Sequence, residues 1–307
     1  MQQHIQLIVG LGLAPGGQLH GFGPGTRAAL AAAGAVARRA PGVHVTLIHA
    51  TGREGESWPP RTGGVGAARE ADPRAALLLD AEAAVADLIA SGATAELVVT
   101  SGAAVPALSR RAQFTRADLL LIGRTEGVDG LARLGPTAQA LVRTCPAPVW
   151  IVDSTHPITD GGFLADAHDT TGLALACRLA RALRAPLHLA TASTVPLASL
   201  PTCGERARAA HLQAARKRLA TDALAAYRRI AGARVEPAVH VGFDDPRTFL
   251  HATAARLRPS ALVLDPSRMT STQQWPREAA ETTTPVIVAR PATFVSPYAS
   301  SALYECH

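Results

Sequence analysis

The chain has 307 residues and a formal net charge of +6, and 48% of its residues are hydrophobic. This length and composition favour two domains, each with its own core. No run of about 18 uncharged apolar residues occurs and the N-terminus lacks a basic leader, so we expect a cytoplasmic protein without a membrane span.

The basic residues are nearly all arginines that lie among acidic residues, and only 4% of the residues are aromatic. Proteins that bind nucleic acids usually show a basic stripe and aromatic side chains for base stacking. We therefore do not expect a nucleic-acid partner. The four cysteines are far apart and the 11 histidines show no zinc-binding spacing, so we expect reduced thiols and no metal site.

The first half of the chain alternates short apolar runs with longer segments of helical periodicity. In chain order we predict strand HIQLIVGLG, helix TRAALAAAGAVARRA, strand VHVTLIHA, a helix from Pro73, strand TAELVVTSG, helix AVPALSRRAQFTR, strand ADLLLIG, helix PTAQALVRT and strand PVWIVD. In the helix that begins at Pro73, four apolar residues recur on one face: Leu78, Ala81, Val85 and Leu88. The segment 51–74 is long for a connection and is either disordered or a lid over a cleft.

The second half repeats this order. We predict strand GGFLADAHD, helix TTGLALACRLARALRA, strand PLHLATAS, a long helix ERARAAHLQAARKRLATDALAAYRRIAG, strand RVEPAVHVG, helix DPRTFLHATAARLR, strand SALVLDPS and strand TPVIVARP. One face of the long helix carries Leu212, Leu219, Ala223, Ala226 and Ile230. Matching pairs such as TRADLLLIGR and LRPSALVLDPSR are roughly 140 residues apart, which indicates a duplicated domain.

Short apolar strands that alternate with helices predict parallel pairing with both sheet faces covered. The fold class is therefore α/β, with two tandem layer sandwiches of five mainly parallel strands each. We place domain 1 at residues 1–153, a polar linker at 154–162, domain 2 at 163–291 and a C-terminal tail at 292–307. The tail carries aromatic residues that fold back on a groove or meet a second chain, unless it is a frayed end.

The segment ADLLLIGRTEGVDGLARLGPTAQALVRTCPAPVWIV resembles the glycine loop region of the universal stress protein family, and the two halves resemble its tandem, two-domain form. The resemblance spans about residues 4–153 and 162–291. It implies flavodoxin-like or Rossmann-like domains and binding of ATP or a related adenine nucleotide. It also implies that domain 1 packs on domain 2 as a pseudo-dimer and makes a homodimer a candidate assembly.

Ligands of open parallel sheets bind at the carboxyl ends of the strands, where glycines let backbone amides approach phosphates and a helix N-terminus attracts negative charge. We therefore predict a nucleotide site in domain 1 at the loop 123–137 and at the end of the first strand. The candidate cofactor-binding residues are Gly10, Gly12, Gly123, Arg124, Gly127, Gly130, Gly135 and Thr137.

The loop departs from the family pattern in its spacing. Gly127 lies one residue later than usual, and seven residues rather than nine separate it from Gly135. Gly135 is followed by Pro136, which donates no amide, instead of serine or threonine. Thr137 remains a candidate helix cap. These departures predict weakened or altered nucleotide binding, or a loop kept for its backbone geometry alone.

Domain 2 lacks a glycine after its fourth strand, where Asp265 stands. Its first strand offers Asp166 or Asp169 near the place where nucleotide-binding relatives carry an aspartate, whereas domain 1 has Gly12 there. A phosphate loop in domain 2 is therefore not expected, and we interpret this domain as a structural partner of domain 1.

Other patterns are weaker. Gly10, Gly12 and Gly16 form a loose dinucleotide fingerprint, but no acidic residue ends the second strand and a Gly-Pro-Gly sequence is an unusual start for a closely packed helix. No catalytic group is evident, so the preferred function is a regulatory or stress-response binding protein. The alternatives are a slow nucleotide hydrolase, which would use Glu126 or Asp129 to hold a metal, and a structural dimerisation module without a ligand.

Overall fold

A computed structural model describes residues 4–12, 22–52, 73–126, 132–153, 160–194, 204–231, 236–265 and 284–290. Most of the predicted segment 51–74, most of the linker and the whole C-terminal tail lie outside these ranges. The described residues form two compact units. Unit 1 contains those between 4 and 153 together with Arg290, and unit 2 contains those between 160 and 289.

Unit 1 follows the predicted alternation of strands and helices. Its elements are β1 (Ile5–Leu11), α1 (Pro24–Arg39), β2 (Val43–Ala50), α2 (Pro73–Ala90), β3 (Thr94–Thr100), α3 (Ala104–Phe114), β4 (Leu119–Gly123), the short strands β5 (Thr125–Glu126) and β6 (Ala132–Arg133), α4 (Pro136–Thr144) and β7 (Val149–Val152). The two short strands pair with each other in an antiparallel hairpin that follows β4.

The five long strands of unit 1 form a parallel sheet in the order β7-β4-β1-β2-β3. Helices α1 and α2 pack on one face, and α3 and α4 on the other. The chain starts in the middle at β1, moves outward to β3 and then returns to the other side at β4. The direction of winding therefore reverses between β1 and β4, which is where a doubly wound sheet opens a crevice at its carboxyl edge.

Burial on both faces explains why these strands are continuous apolar runs. Leu119, Leu120 and Leu121 of β4 are all fully buried. Helix α1 meets the sheet through small residues such as Ala29 and Ala33, which allow a close approach of helix and strands. In α2 the buried positions are Leu77, Ala81 and Leu88, with Leu78 and Val85 at the margin, so the predicted apolar face is nearly the observed one.

Unit 2 repeats the pattern. Its elements are β8 (Phe163–Asp166), α5 (Thr170–Ala182), β9 (Leu187–Ala192), α6 (Glu205–Ala231), β10 (Ala238–Gly242), α7 (Pro246–Leu257), β11 (Ala261–Leu264) and β12 (Val286–Val288). Its parallel strands lie in the order β10-β9-β8-β11-β12, which is the order of unit 1 strand for strand. Both predicted layer sandwiches are thus confirmed as five-stranded parallel sheets among the described residues.

The long helix α6 is buried only where it crosses its own sheet. Ala223 and Tyr227 are buried, and the predicted face residues Leu212, Leu219 and Ile230 are half-buried. The turns before Leu219 carry mostly exposed side chains, so the amino-terminal part of this helix is largely solvated.

Candidate functional site

A cavity of about 730 Å³ opens in unit 1 at the carboxyl ends of β1, β2 and β4. It lies at the reversal of strand order and is bounded by the amino-terminal ends of α1, α3 and α4. Six of the eight predicted cofactor-binding residues line it: Gly10, Gly12, Gly123, Arg124, Gly135 and Thr137. Gly127 and Gly130 lie outside the described residues. The volume is within the usual range of small-ligand sites.

The end of β1 is tied to the start of α1 by one threonine. The Thr26 hydroxyl donates to the carbonyl oxygen of Gly12 and accepts from the Gly12 N–H, both at 3.0 Å. Helix α1 begins with Gly23 at its N-cap and Pro24 in its first turn. Because Pro24 has no N–H, the unpaired amides of this first turn belong to Gly25 and Thr26. The expectation that Gly-Pro-Gly is a poor start for a packed helix is therefore wrong.

Close backbone contact explains why the chain has glycine at Gly25 and Gly123. A side chain at Gly25 would overlap the carbonyl oxygen of Arg124 and lie 3.0 Å from the Gly123 Cα, and one at Gly123 would overlap the backbone of Gly25. The first turn of α1 thus rests directly on the end of β4. The absence of a side chain at Gly123 is therefore required for the packing of α1 on β4, independently of any ligand.

Arg124 is buried rather than solvated. Its Nη1 lies 3.9 Å from Oδ2 of Asp153, which follows β7, and the two side chains are only 2% and 6% exposed. Burial lowers the pKa of the Arg124 guanidinium, and the negative charge of Asp153 acts in the opposite direction. Although Arg124 lines the cavity, its charge is compensated within the protein, so it provides less net positive charge than a free arginine.

The start of α4 provides the second helix N-terminus of the cavity. Gly135 is the N-cap without a side-chain cap bond, and Pro136 stands in the first turn, as the sequence predicted. The prediction that Thr137 caps this helix is wrong, because the N-cap is Gly135, two residues earlier, and Thr137 lies inside the first turn. The exposed Thr137 side chain borders the cavity, where its hydroxyl is available to a ligand.

The sequence analysis missed the apolar wall of the cavity. Its members come from five elements that the chain brings together only in three dimensions: Leu11, Ile48, Ala50, Ala104, Leu108, Ile122 and Leu141. Their only sequence signal was their place at the ends of strands and helices. His49, near the end of β2, also lines the cavity. His20 and Gly16 lie outside the described residues.

In unit 2 the corresponding junction is closed by a carboxylate. Asp169 caps α5 by accepting from the Gly172 N–H at 2.8 Å, and its other oxygen accepts from the Asp265 N–H at 2.7 Å. Burial raises the pKa of Asp169 to about 6. The negative charges of Asp265 and Asp166 raise the pKa further, whereas the hydrogen bonds from Gly172 and Asp265 lower it. The Asp166 carboxylate accepts from the His168 N–H. Asp166 and Asp169 therefore both accept hydrogen bonds from backbone N–H groups of unit 2.

Within the described ranges, no group of three or more His, Cys, Asp or Glu side chains is arranged to hold a metal ion. None of the helices in the described part of the chain combines the length and apolar composition that a membrane span requires. Cys145 and Cys177 are free thiols, and burial raises the pKa of each to about 11.

The fold defines a doubly wound α/β domain that is present in two copies, and in the first copy a cavity opens at the switch point of the sheet. Residues 21–153 match the model of the universal stress protein family, and this domain belongs to that family. No curated protein is similar enough to this sequence to count as a match.

Two solved structures resemble the chain over both halves. A universal stress protein from Archaeoglobus fulgidus DSM 4304 has a TM-score of 0.57 at 12% identity, covering 93% of this chain and 98% of that one. A functionally unknown protein from Pseudomonas aeruginosa PAO1 has a TM-score of 0.57 at 17% identity, covering 94% and 92%. At these identities the likeness shows a shared fold, and its extent fits the two-domain form predicted from the sequence.

Proposed function

We propose that this protein is a stress-response binding protein whose first domain binds an adenine nucleotide in the cavity at the ends of β1, β2 and β4. The observation that carries the proposal is that one cavity of suitable volume combines two helix N-termini with an apolar wall. A purine base needs apolar surface, and a phosphate needs backbone N–H groups and positive potential.

The two ends of a nucleotide would use different parts of the cavity. The side chains of Ile48, Leu108 and Leu141 offer apolar contact for the base. The amides at the start of α1 and α4 and the Thr137 hydroxyl offer donors for phosphate oxygens. Arg124 would act on the phosphate mainly through its field, because Asp153 lies beside its guanidinium.

Unit 2 supports a structural or regulatory role in the same protein. Asp169 is the N-cap of α5, where α1 has Gly23, and Asp265 stands where β4 has Gly123; a buried carboxylate at that place repels a phosphate. We propose that nucleotide binding is confined to unit 1.

Binding is tested by measuring the melting temperature and the heat of binding with AMP and with ATP, each with and without Mg²⁺. A ligand that binds only the folded protein raises the melting temperature, and the rise grows with the logarithm of the ligand concentration once that concentration exceeds Kd. The informative variant is Thr137→Trp, which places a large ring at the cavity mouth from an exposed position of α4. The matched control is Arg143→Trp, an exposed position of the same helix away from the cavity.

We expect the shift to survive Arg143→Trp and to disappear in Thr137→Trp. No shift in the unmodified protein at millimolar nucleotide would reject nucleotide binding and leave the structural dimerisation module. Release of phosphate from ATP that stops in the Asp129→Ala variant would instead support the slow hydrolase.

A further inference from the structure

Two histidines meet on the sheet of unit 2, on the face covered by α7. His188 lies in β9 and His240 in β10, and the register pairs Ala238 with His188 and His240 with Ala190. Both histidines therefore project from the same face as diagonal neighbours on adjacent strands. His188 Nδ1 and His240 Nε2 are 3.2 Å apart, the ring centroids are 5.4 Å apart, and both side chains are half-buried.

We propose that His188 and His240 form a two-imidazole binding site for a divalent transition metal of the Cu²⁺ and Zn²⁺ class. Metal–imidazole bonds are about 2.0–2.1 Å long, so two nitrogens that share one ion in tetrahedral or square-planar geometry lie roughly 3 Å apart. The nitrogens of this pair already have that separation. Small rotations of the two half-exposed rings would turn both lone pairs toward one ion, and water would supply the remaining ligands.

The protonation state of the pair suits a metal. Burial lowers the pKa of both imidazoles, and for His240 the neighbouring His188 and Arg256 lower it further. Neutral imidazole is the form that binds metal. A lowered pKa keeps both rings neutral at neutral pH, so the ion does not have to compete with an imidazolium proton. Cu²⁺ should bind most tightly among the first-row divalent ions.

Arg256 of α7 opposes the metal in two ways. Its Nη2 lies 3.4 Å from Nδ1 of His240, and a guanidinium can only donate, so Nδ1 accepts and the ring hydrogen of neutral His240 sits on Nε2. That Nε2–H donates to His188 Nδ1 at 3.2 Å, so a metal between the two nitrogens must break this hydrogen bond and move the hydrogen to Nδ1, where Arg256 stands. The positive charge of Arg256 also repels the ion. Because Arg256 is exposed, it can swing away.

Unit 1 supplies an internal control at the same register. His44 of β2 pairs with Thr94, and Glu96 stands where His240 stands in unit 2. The Glu96 carboxylate already accepts hydrogen bonds from Thr46 and Arg111, and His44 Nδ1 contacts the Thr94 hydroxyl at 2.9 Å. This pair has the same place in the fold but offers only one imidazole, and Thr46 and Arg111 hold Oε1 of its carboxylate, so it should not bind the ion.

The test is equilibrium dialysis of the full chain against Cu²⁺ buffered with glycine, with electron paramagnetic resonance of the bound ion. We compare the unmodified protein with His240→Gln, Arg256→Gln and His44→Gln, and check the fold of each by circular dichroism. We expect His240→Gln to lose one bound equivalent, or at least about tenfold in affinity, together with the signal of a two-nitrogen site. His44→Gln should bind as the unmodified protein does.

Arg256→Gln should bind more tightly, because it removes the charge and its amide oxygen can accept the relocated Nδ1–H. This gain separates a metal site from a merely structural histidine pair. The proposal is overturned if the unmodified protein and His240→Gln bind the same number of ions with the same affinity. That result would leave the nucleotide site of unit 1 untouched.

Discussion

The backbones of Gly25 and Gly123 are in direct contact, so that neither residue has room for a β-carbon. This contact seats the first turn of α1 on the end of β4 at the edge where the cavity opens. Gly123 begins the glycine loop that the sequence analysis connected with phosphate. Its packing role means that loss of binding in a variant at this residue would not by itself report on a ligand.

We predict that Gly123→Ala destabilises the protein by about 3 kcal/mol or prevents folding, because neither backbone can retreat without unseating α1. Urea unfolding followed by circular dichroism measures this. The matched control is Gly12→Ala, since a β-carbon there would lie 3.6 Å from the Thr26 Oγ1, an ordinary contact distance. Equal stability of Gly123→Ala and Gly12→Ala would contradict the packing role.

Arg124 and Asp153 form a buried ion pair, and we expect the free energy of unfolding to depend on the presence of both residues. Removing one partner leaves an uncompensated buried charge, so the single variants Asp153→Leu and Arg124→Met should each cost about 3 kcal/mol. The double variant Arg124→Met with Asp153→Leu should recover much of that loss. Chemical denaturation of the four proteins gives the coupling energy. If the single and double variants lose the same stability, the two charges do not depend on each other.

Because of Asp169, the free energy of unfolding should increase as the pH falls from 7 to 5, which is opposite to the effect of a carboxylate with a lowered pKa. The folded pKa of Asp169, about 6, is above the ordinary value of 3.8, so its contribution is greatest in acid and is lost as the pH rises through 6. Relative to Asp169→Asn, the unmodified protein should gain about 1 kcal/mol in unfolding free energy between pH 7 and pH 5.

The Asp169 carboxyl can also be followed directly by its carbon-13 chemical shift during a pH titration. Parallel stability curves of the two proteins over this range, together with a carboxyl midpoint near 4, would show that burial does not control this group. Asp245, an exposed helix cap whose pKa is lowered by its hydrogen bonds to Thr248, serves as the internal reference.

Arg184 has a left-handed backbone with φ of 50°, which is strained for any residue with a side chain. It follows α5, where the Ala185 N–H reaches back to the Ala180 carbonyl at 2.9 Å, a helix ending that favours glycine. Arg184→Gly should therefore stabilise the protein by about 1 kcal/mol.

Arg184→Ala is the control, because alanine keeps the left-handed strain while it removes the same exposed side chain. Thermal unfolding of the three proteins should give the glycine variant the highest melting temperature. A glycine variant no more stable than the alanine variant would show that strain at this position is negligible.

The sequence by itself determined the order of strands and helices in both domains, because runs of apolar residues and helical periodicity depend on near neighbours in the chain. It also determined that the chain repeats itself, and it pointed to the carboxyl edge of the first sheet as the site. The cap that Asp245 forms on α7 is local in the same sense, since it involves only residues three apart.

Only the tertiary structure decided which groups meet across elements. It placed Gly25 on Gly123, turned Arg124 inward toward Asp153, and used Asp169 to hold the Asp265 backbone. It also brought together His188 and His240, which are 52 residues apart and show no spacing typical of a metal site. These contacts depend on strand register and on how closely each helix approaches the sheet, and neither quantity is encoded in any local run of residues.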